Sequence, residues 1–558
     1  QRGRTGFASQ SGALGLVAVE QARAFGLGIS SFISVGNKAD ISGNDLLNYW
    51  ESDPDTDVVM LYLESFGNPI KFSRIARRVG HTKPIIAVKS GRSKAGARAT
   101  SSHTGALLAA SDVTVDALFR QAGVIRANTF EEMFATAALL GNQPLPRGHR
   151  VAIVTNVGGP AILCADACEG LGLELPVLSE ATQERLRAFL PEEASVGNPV
   201  DLIASATAEQ YRQAIEAVTA DPGVDAVVAM FIPPLATRTE EIAAAITEAT
   251  QAGGDDKPLV AVFMTADRPA TIPAASPRQV PVYSFPETAA TALANATRYA
   301  IWRARPLTPP GRPPGLRTDE AAAIVAGALG RGGGWLEPAE VAALLACYGI
   351  PMVESVSVGT PDEAAAAART LGDEVALKAI APGLSHKTEL GAVRLGLRGP
   401  AQVGQAAREM AERLTGAGYT PSGFLLQPMI RGGVEMLVGI VRDPSFGPVV
   451  AIGAGGTLTE LLQDVSVRLA PFVGDEPRAM IRELKTYPLL DGYRGGPHYD
   501  IAALEDILLR AGALAEDLPP VIECDLNPVV VLEASAVVLD ARVRVAPLRP
   551  PEPAPHPA

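Results

Sequence analysis

Between Asp57 and Glu64 the run DVVMLYLES is apolar without interruption. A strand with one wet face would alternate apolar and polar residues. A continuous run marks a strand covered on both faces, the habit of parallel sheets packed between helices. PIIAVKSG, from Pro84, repeats the pattern, and ahead of both TGFASQ reads as a short strand leading into the helix GALGLVAVEQARAFG. This alternation predicts a doubly wound α/β domain with a parallel sheet. A second α/β unit starts near Arg150, where HRVAIVTNVGGPAILCADACEGLG reads as strand, glycine turn and helix. VDAVVAMFIPPL, PLVAVFM and VPVYSF supply its further strands.

The chain has 558 residues, and at roughly 100–200 residues per domain it should hold about three to five units. After the second unit, RARPLTPPGRPPGLRTDE is proline-rich and reads as an exposed linker, closed by GRGGGW. A third section opens at LEPAEVAALLACYGIPM, centres on VVAIGAGGTLTELLQD and ends in PVIECDLNPVVVLEASAVVLDARV. The tail PLRPPEPAPHPA is too rich in proline to pack and is expected to be disordered.

A net charge of −13 argues against a general nucleic-acid binder, and 5% aromatic content against stacking platforms for single strands. No apolar run approaches the roughly 18–20 residues needed to cross a bilayer. Cys164 and Cys168 lie four apart on one helix face and read as packing residues, while Cys347 and Cys524 are isolated; this cysteine usage suits a reduced, cytoplasmic protein. The start QRGRTGFASQS has neither a signal-peptide layout nor an initiating methionine, so sequence upstream of Gln1 is expected.

In ASQSGALG a strand meets a helix, with Ser9, Ser11 and Gly12 at the junction. Unpaired N–H groups at a helix start, with serine hydroxyls beside them, can hold an anion; Ser11 could equally be a plain helix cap. Farther on, SSHTGALLAAS sets His103 among small hydroxylated residues. A neutral imidazole can take a phosphoryl group if donors stabilise the anion and a partner orients the ring. Glu64, at the end of a parallel strand where α/β proteins build their sites, is a candidate partner. Without further context His103 reads as an ordinary loop residue.

SQSGALG, SVGNKADISGNDLLNYW, LYLESFGNP, SSHTGAL and TNVGGPAILCADA together resemble the NDP-forming acyl-CoA synthetases. These are the ADP-forming acetyl-CoA synthetase relatives of succinyl-CoA synthetase. The resemblance continues through LKAIAPGLSHKTELGAV, DPSFGPVVAIGAGGTLTELLQDVSVRLAP, LLDGYRGGP and ECDLNPVVV, in order along nearly the whole chain. It implies two flavodoxin-like domains of the succinyl-CoA synthetase type over residues 1–145 and 146–303 and a Pro/Gly-rich linker over 304–334. An ATP-grasp domain over 335–546 and the tail 547–558 would complete the chain. The implied reaction interconverts acyl-CoA, ADP and phosphate with acid, CoA and ATP. The implied partners are a small carboxylic acid, CoA, nucleotide and phosphate, with assembly into an oligomer and no role for nucleic acid or membrane.

By the same resemblance His103 is the phosphorylated histidine, with Glu64 beside it. Ser9, Gln10, Ser11 and Gly12 form one of two helix starts that face the phosphate, and Gly455, Gly456 and Thr457 form the other. In the ATP-grasp section Lys378 would contact nucleotide phosphates, and Gln427 and Met429 would lie in the hinge beside adenine. Glu435 would reach ribose or else be a surface strand residue, and Asn527 and Asp540 would bind Mg2+, a hard ion suited to oxygen donors. His386, in APGLSHKTELGAV, would carry phosphate between the nucleotide and His103; the bland reading is a solvent-exposed pair with Lys387.

The family pattern places a CoA-binding domain ahead of the phosphate turn, and the chain opens at that turn, so a fragment or a second chain is expected. A second reading comes from relatives that fuse such a region to a GNAT acetyltransferase and use it as a regulatory module. The presence of His103, Glu64, His386, Asn527 and Asp540 favours the synthetase.

Overall fold

The computed structural model describes residues 2–36, 41–91, 112–233, 238–252, 256–266, 268–273, 279–305, 311–381, 390–456 and 464–548. The chain divides into two compact units, Gln1–Leu307 and Thr308–Pro553.

The first unit holds two sheets. Strands β1 (Arg2–Ser9), β2 (Ile29–Ser34), β3 (Val58–Leu63), β4 (Ile85–Lys89) and β5 (Val124–Ala127) form a parallel sheet in the order β2-β1-β3-β4-β5. Val58–Leu63 is an uninterrupted apolar run, and Val59, Met60 and Leu61 are fully buried in it. Helices Gly12–Ala24 and Phe130–Asn142 cover one face with Ala18, Ala22, Met133 and Phe134. Helices Pro69–Gly80 and Asp112–Ala122 pack against the β4–β5 side of the sheet. Local chemistry starts these helices: Asn68 caps Lys71 N–H at 2.9 Å ahead of Pro69, and Thr129 caps Glu132 N–H at 3.1 Å.

The second sheet joins β6 (Val151–Thr155), β7 (Val200–Asp201), β8 (Ala226–Phe231), β9 (Leu259–Phe263), β10 (Thr271–Pro273) and β11 (Gln279–Tyr283) in the order β10-β11-β9-β8-β6-β7. All its pairings are parallel except β10–β11. Cys164 and Cys168 are buried free thiols in the helix Gly158–Gly170, part of the core on one face of this sheet. Ala135 and Leu139 of Phe130–Asn142 reach the same core, so that helix is shared between both sheets.

The second unit also has two sheets. One runs β12-β22-β20-β17-β18-β19 with β21 paired to β20: β12 (Gly334–Trp335), β17 (Val434–Asp443), β18 (Gly447–Ala454), β19 (Val465–Leu469), β20 (Val521–Val531), β21 (Ala536–Val538) and β22 (Ala541–Val545). The other runs β13-β16-β14-β15: β13 (Val356–Val358), β14 (Val375–Ile380), β15 (Val393–Leu397) and β16 (Gly423–Pro428). The expected linker over 304–334 needs correction. Thr318–Gly330 is a helix whose Ala321, Val325 and Ala328 are buried in the core of this unit. Proline is confined to the stretch before it, and TDEAAAIVAGALG brings strong helix formers, an acidic first turn and an apolar face at i, i+4, i+7.

Candidate active site

In the first sheet the strand order reverses around β1, and the crevice at the carboxyl ends of β1 and β3 is where such sheets bind ligands. Ser9 ends β1, and Glu64 follows β3. The buried Gln10 side chain ties the two together: its Oε1 accepts the Glu64 and Ser65 N–H groups at 2.6 and 2.9 Å, and its Nε2 donates to the Ser65 carbonyl at 2.8 Å. Gln10 therefore braces the backbone that carries the half-buried Glu64. The Ser9 hydroxyl donates to the Ser11 carbonyl at 2.7 Å and accepts the Ser11 N–H at 3.2 Å. Ser11 is the N-cap of Gly12–Ala24, its hydroxyl accepting Leu14 N–H at 3.5 Å, while Gly12 is exposed. Ser9, Gln10, Ser11, Gly12 and Glu64 thus share one sheet edge; His103 lies outside the described residues.

Sequence reasoning missed Lys89, the last residue of β4, in register with Leu63 immediately before Glu64. Burial lowers its pKa, while Asp112 and Glu64 oppose the shift by favouring the cation. A lysine closing an apolar strand, as in IIAVKS, is the signal that could have found it.

The second sheet repeats the wiring. Thr155 Oγ1 donates to the Val157 carbonyl at 3.2 Å and accepts Val157 N–H at 3.1 Å. Asn156 Nδ2 donates to the Ile232 carbonyl at 2.9 Å, and its Oδ1 accepts Ile232 N–H at 3.1 Å. Helix Gly158–Gly170 then starts from Val157, with no side-chain cap.

In the second unit side chains of the β13–β16 sheet reach the break between β21 and β22, which both pair with β20. Lys378 on β14 donates from Nζ to the Leu539 carbonyl at 2.7 Å, and Gln427 on β16 donates from Nε2 to the same oxygen at 3.1 Å. Both side chains are buried. Asp540 follows immediately, and its carbonyl accepts Asn527 N–H at 3.0 Å. Asn527 Oδ1 in turn accepts Gly456 N–H at 3.4 Å. Gly455 donates to the Glu435 carbonyl at 2.9 Å, and a Cβ there would come within 2.6 Å of the Met436 backbone, so only glycine lets this turn lie against β17. The exposed Glu435 carboxylate sits beside Gly456, which has φ +63°. Met429 continues β16 and donates its N–H to the Glu374 carbonyl at 3.0 Å. The structure therefore gathers Lys378, Gln427, Asn527, Asp540, Gly455, Gly456 and Glu435 around one end of the unit; Thr457 and His386 lie outside the described residues.

Asp525, two residues before Asn527 on β20, was also missed. Burial, and after it the neighbouring Asp540 carboxylate, push its pKa up. The Asp525 and Asp540 carboxylates and the Asn527 amide are oxygen donors of the kind that suits a hard divalent ion.

Three family profiles match in order along the chain. They are a succinyl-CoA ligase like flavodoxin domain over residues 2–140, a Ligase-CoA domain over 151–304 and an ATP-grasp domain over 327–545. That succession defines a CoA ligase that carries its nucleotide-binding fold on the same chain. The chain is similar to acetate–CoA ligase (ADP-forming) I of Archaeoglobus fulgidus, at 36% identity over 97% of this chain and 78% of the relative. It is also similar to 4-hydroxybutyrate–CoA ligase (ADP-forming) of Nitrosopumilus maritimus, at 32% identity over 97% of this chain and 78% of that one. A solved structure of Ca. Korarchaeum cryptofilum dinucleotide forming acetyl-coenzyme A synthetase 1, with phosphate and ADP, matches at TM-score 0.50 and 32% identity, covering 54% of this chain and 66% of that one. The chain belongs to the ADP-forming acetyl-CoA synthetase family.

Proposed function

We propose that this chain is an acid–thiol ligase that interconverts acyl-CoA, ADP and phosphate with acid, CoA and ATP through phosphohistidine intermediates. The observation that carries the reading is the meeting of Lys378 and Gln427 on one carbonyl beside Asp540 and Asn527. A buried ammonium on a rigid strand can neutralise nucleotide phosphate, and the buried Gln427 fixes the strand next to it. Asn527 and Asp540 would hold Mg2+, which when bound neutralises phosphate charge during transfer.

In the direction of ATP use, a ring nitrogen of His386 attacks the γ-phosphorus, the bond to the β-phosphate oxygen breaks, and ADP leaves. His103 then takes the phosphoryl group from His386. Glu64, held by the Gln10 brace, orients the His103 ring and stabilises its positive charge. The start of Gly12–Ala24 supplies N–H donors to the phosphoryl oxygens. The carboxylate of the acid accepts the group from His103, and CoA thiolate finally displaces phosphate from the acyl phosphate. The two relatives carry names with different acids, so the acid is a separate matter from the family. Four buried free cysteines suit a cytoplasmic setting.

Titrating nucleotide into Asp540→Ala tests the reading. Mg2+-dependent ATP binding should be lost in this variant; unchanged ATP affinity would contradict the assignment.

A further inference from the structure

The motif LLDGYRGGP, Leu489–Pro497, lies in the described part of the second unit, and the mechanism above does not use it. At its centre Arg494 has φ +53° and ψ +34°, a left-handed conformation that crowds the Cβ of any residue but glycine. Gly492, at φ +83°, and Gly495, at φ +78°, share the left-handed region without that crowding. A third glycine at 494 would relieve the strain, yet the position holds an arginine.

The loop is built to keep this shape. His498 Nδ1 lies 3.2 Å from Asp491 Oδ1, and the Tyr487 hydroxyl donates to Asp491 Oδ2 at 3.1 Å. Gly495 N–H closes on the Gly492 carbonyl at 3.2 Å, and Gly496 N–H on the Tyr493 carbonyl at 3.0 Å. The His498 ring lies over Gly492, where a Cβ would come within 2.7 Å of Nε2.

The stems are fixed at the sheet end that holds Gly455 and Glu435. The Asp464 carboxylate, just before β19, accepts Lys485 N–H at 2.9 Å, Thr486 N–H at 2.8 Å and the Thr486 hydroxyl at 2.7 Å. Asp500 N–H donates to the carbonyl of Leu532, the residue after β20, at 2.8 Å. The Arg494 guanidinium is exposed, stacks 5.3 Å over the ring of its neighbour Tyr493, and makes no ion pair among the described residues. A strained backbone that carries an exposed cation with no ion pair among the described residues is the kind of outlier that clusters at ligand clamps.

We propose that Arg494 contacts a phosphate group of a substrate, and that the pinned turn exists to present its guanidinium. The proposal rests on the functional reading above, because that reaction supplies the phosphate groups. They come from nucleotide, inorganic phosphate or CoA, and a forked guanidinium suits any of them.

Calorimetric titration of the full chain with Mg-ADP, inorganic phosphate and CoA, each alone, identifies the source. Arg494→Gly should weaken one of the three by about tenfold or more, and the same variant should melt about 2–4 °C higher because the strain is gone. Arg494→Lys should keep the wild-type melting temperature and recover only part of the affinity for that ligand, because an ammonium keeps the charge and loses the fork. Affinities within about twofold of wild type for all three ligands in Arg494→Gly would overturn the proposal. So would lost affinity coupled to a lower melting temperature, since that marks a structural role. A wild-type chain that takes no label from ATP refutes the functional reading alone, because the binding comparison still reports on Arg494.

Discussion

The two glycine turns of the first unit are wired alike and finished differently. In each, a hydroxyl at the strand end closes on the residue two ahead: Ser9 on Ser11, Thr155 on Val157. In each, the next residue is an amide that grips the chain leaving the neighbouring strand: Gln10 at Glu64 and Ser65, Asn156 at Ile232. The differences are the residue gripped and the cap. The first turn holds a carboxylate-bearing residue in place and caps its helix with Ser11. The second holds an isoleucine and starts its helix from Val157 with no side-chain cap. One scaffold serves both; chemistry enters through single residues set on it. Family membership is legible in the scaffold, whereas the two turns differ in Glu64 and in the cap.

The largest effect should come from the amides. Gln10→Ala removes three hydrogen bonds, those accepted from the Glu64 and Ser65 N–H groups and the one donated to the Ser65 carbonyl, each worth about 1 kcal/mol. Amide exchange across residues 58–66 should then speed up by at least about a hundredfold, measured by mass spectrometry. Asn156→Ala removes two hydrogen bonds rather than three, so exchange around Ile232 should rise less, by about thirtyfold. Equal responses at the two turns would break the comparison.

The hydroxyls come next. Ser9→Ala and Thr155→Ala should each loosen their turn by about 1 kcal/mol. Ser9 should be the more sensitive, since its bond to the carbonyl is 2.7 Å against 3.2 Å. A larger effect at Thr155 would mean that bond length does not rank the two.

The smallest effects belong to the caps. The Ser11 bond to Leu14 N–H is long, at 3.5 Å, so Ser11→Ala should cost no more than about 0.5–1 kcal/mol. Val157→Ser should stabilise its helix by a similar amount. Helix-specific exchange in residues 12–24 and 158–170 reads both; a destabilised Val157→Ser helix would show that the second turn cannot accept a hydroxyl cap.

Much of this fold was legible because burial writes itself into composition. The unbroken apolar runs at Val58–Leu63, Ile85–Val88 and Ala226–Phe231 lie in strands paired parallel, as their lack of alternation required. Thr318–Gly330 was misread because prolines before it and glycines on both sides set the tone of the window, and the periodic Ala321, Val325, Ala328 face was overlooked. Gln10 was expected among the phosphate donors, and its brace to residues 54 and 55 positions away is invisible locally. Asp525 stands two residues from Asn527 in plain view, but its interaction with Asp540 depends on strand pairing. Lys378 was the opposite case: a lysine inside an apolar strand needs a partner, and the Leu539 carbonyl supplies one.

The most direct test of the account is phosphoryl labelling from γ-labelled ATP and Mg2+, followed on wild type, His386→Ala and His103→Ala. The wild type should acquire acid-labile, base-stable label. His386→Ala should acquire none, and His103→Ala should still be labelled at His386, because that step precedes transfer. Full labelling of His103 in the His386→Ala chain would show direct transfer from the nucleotide and contradict the relay.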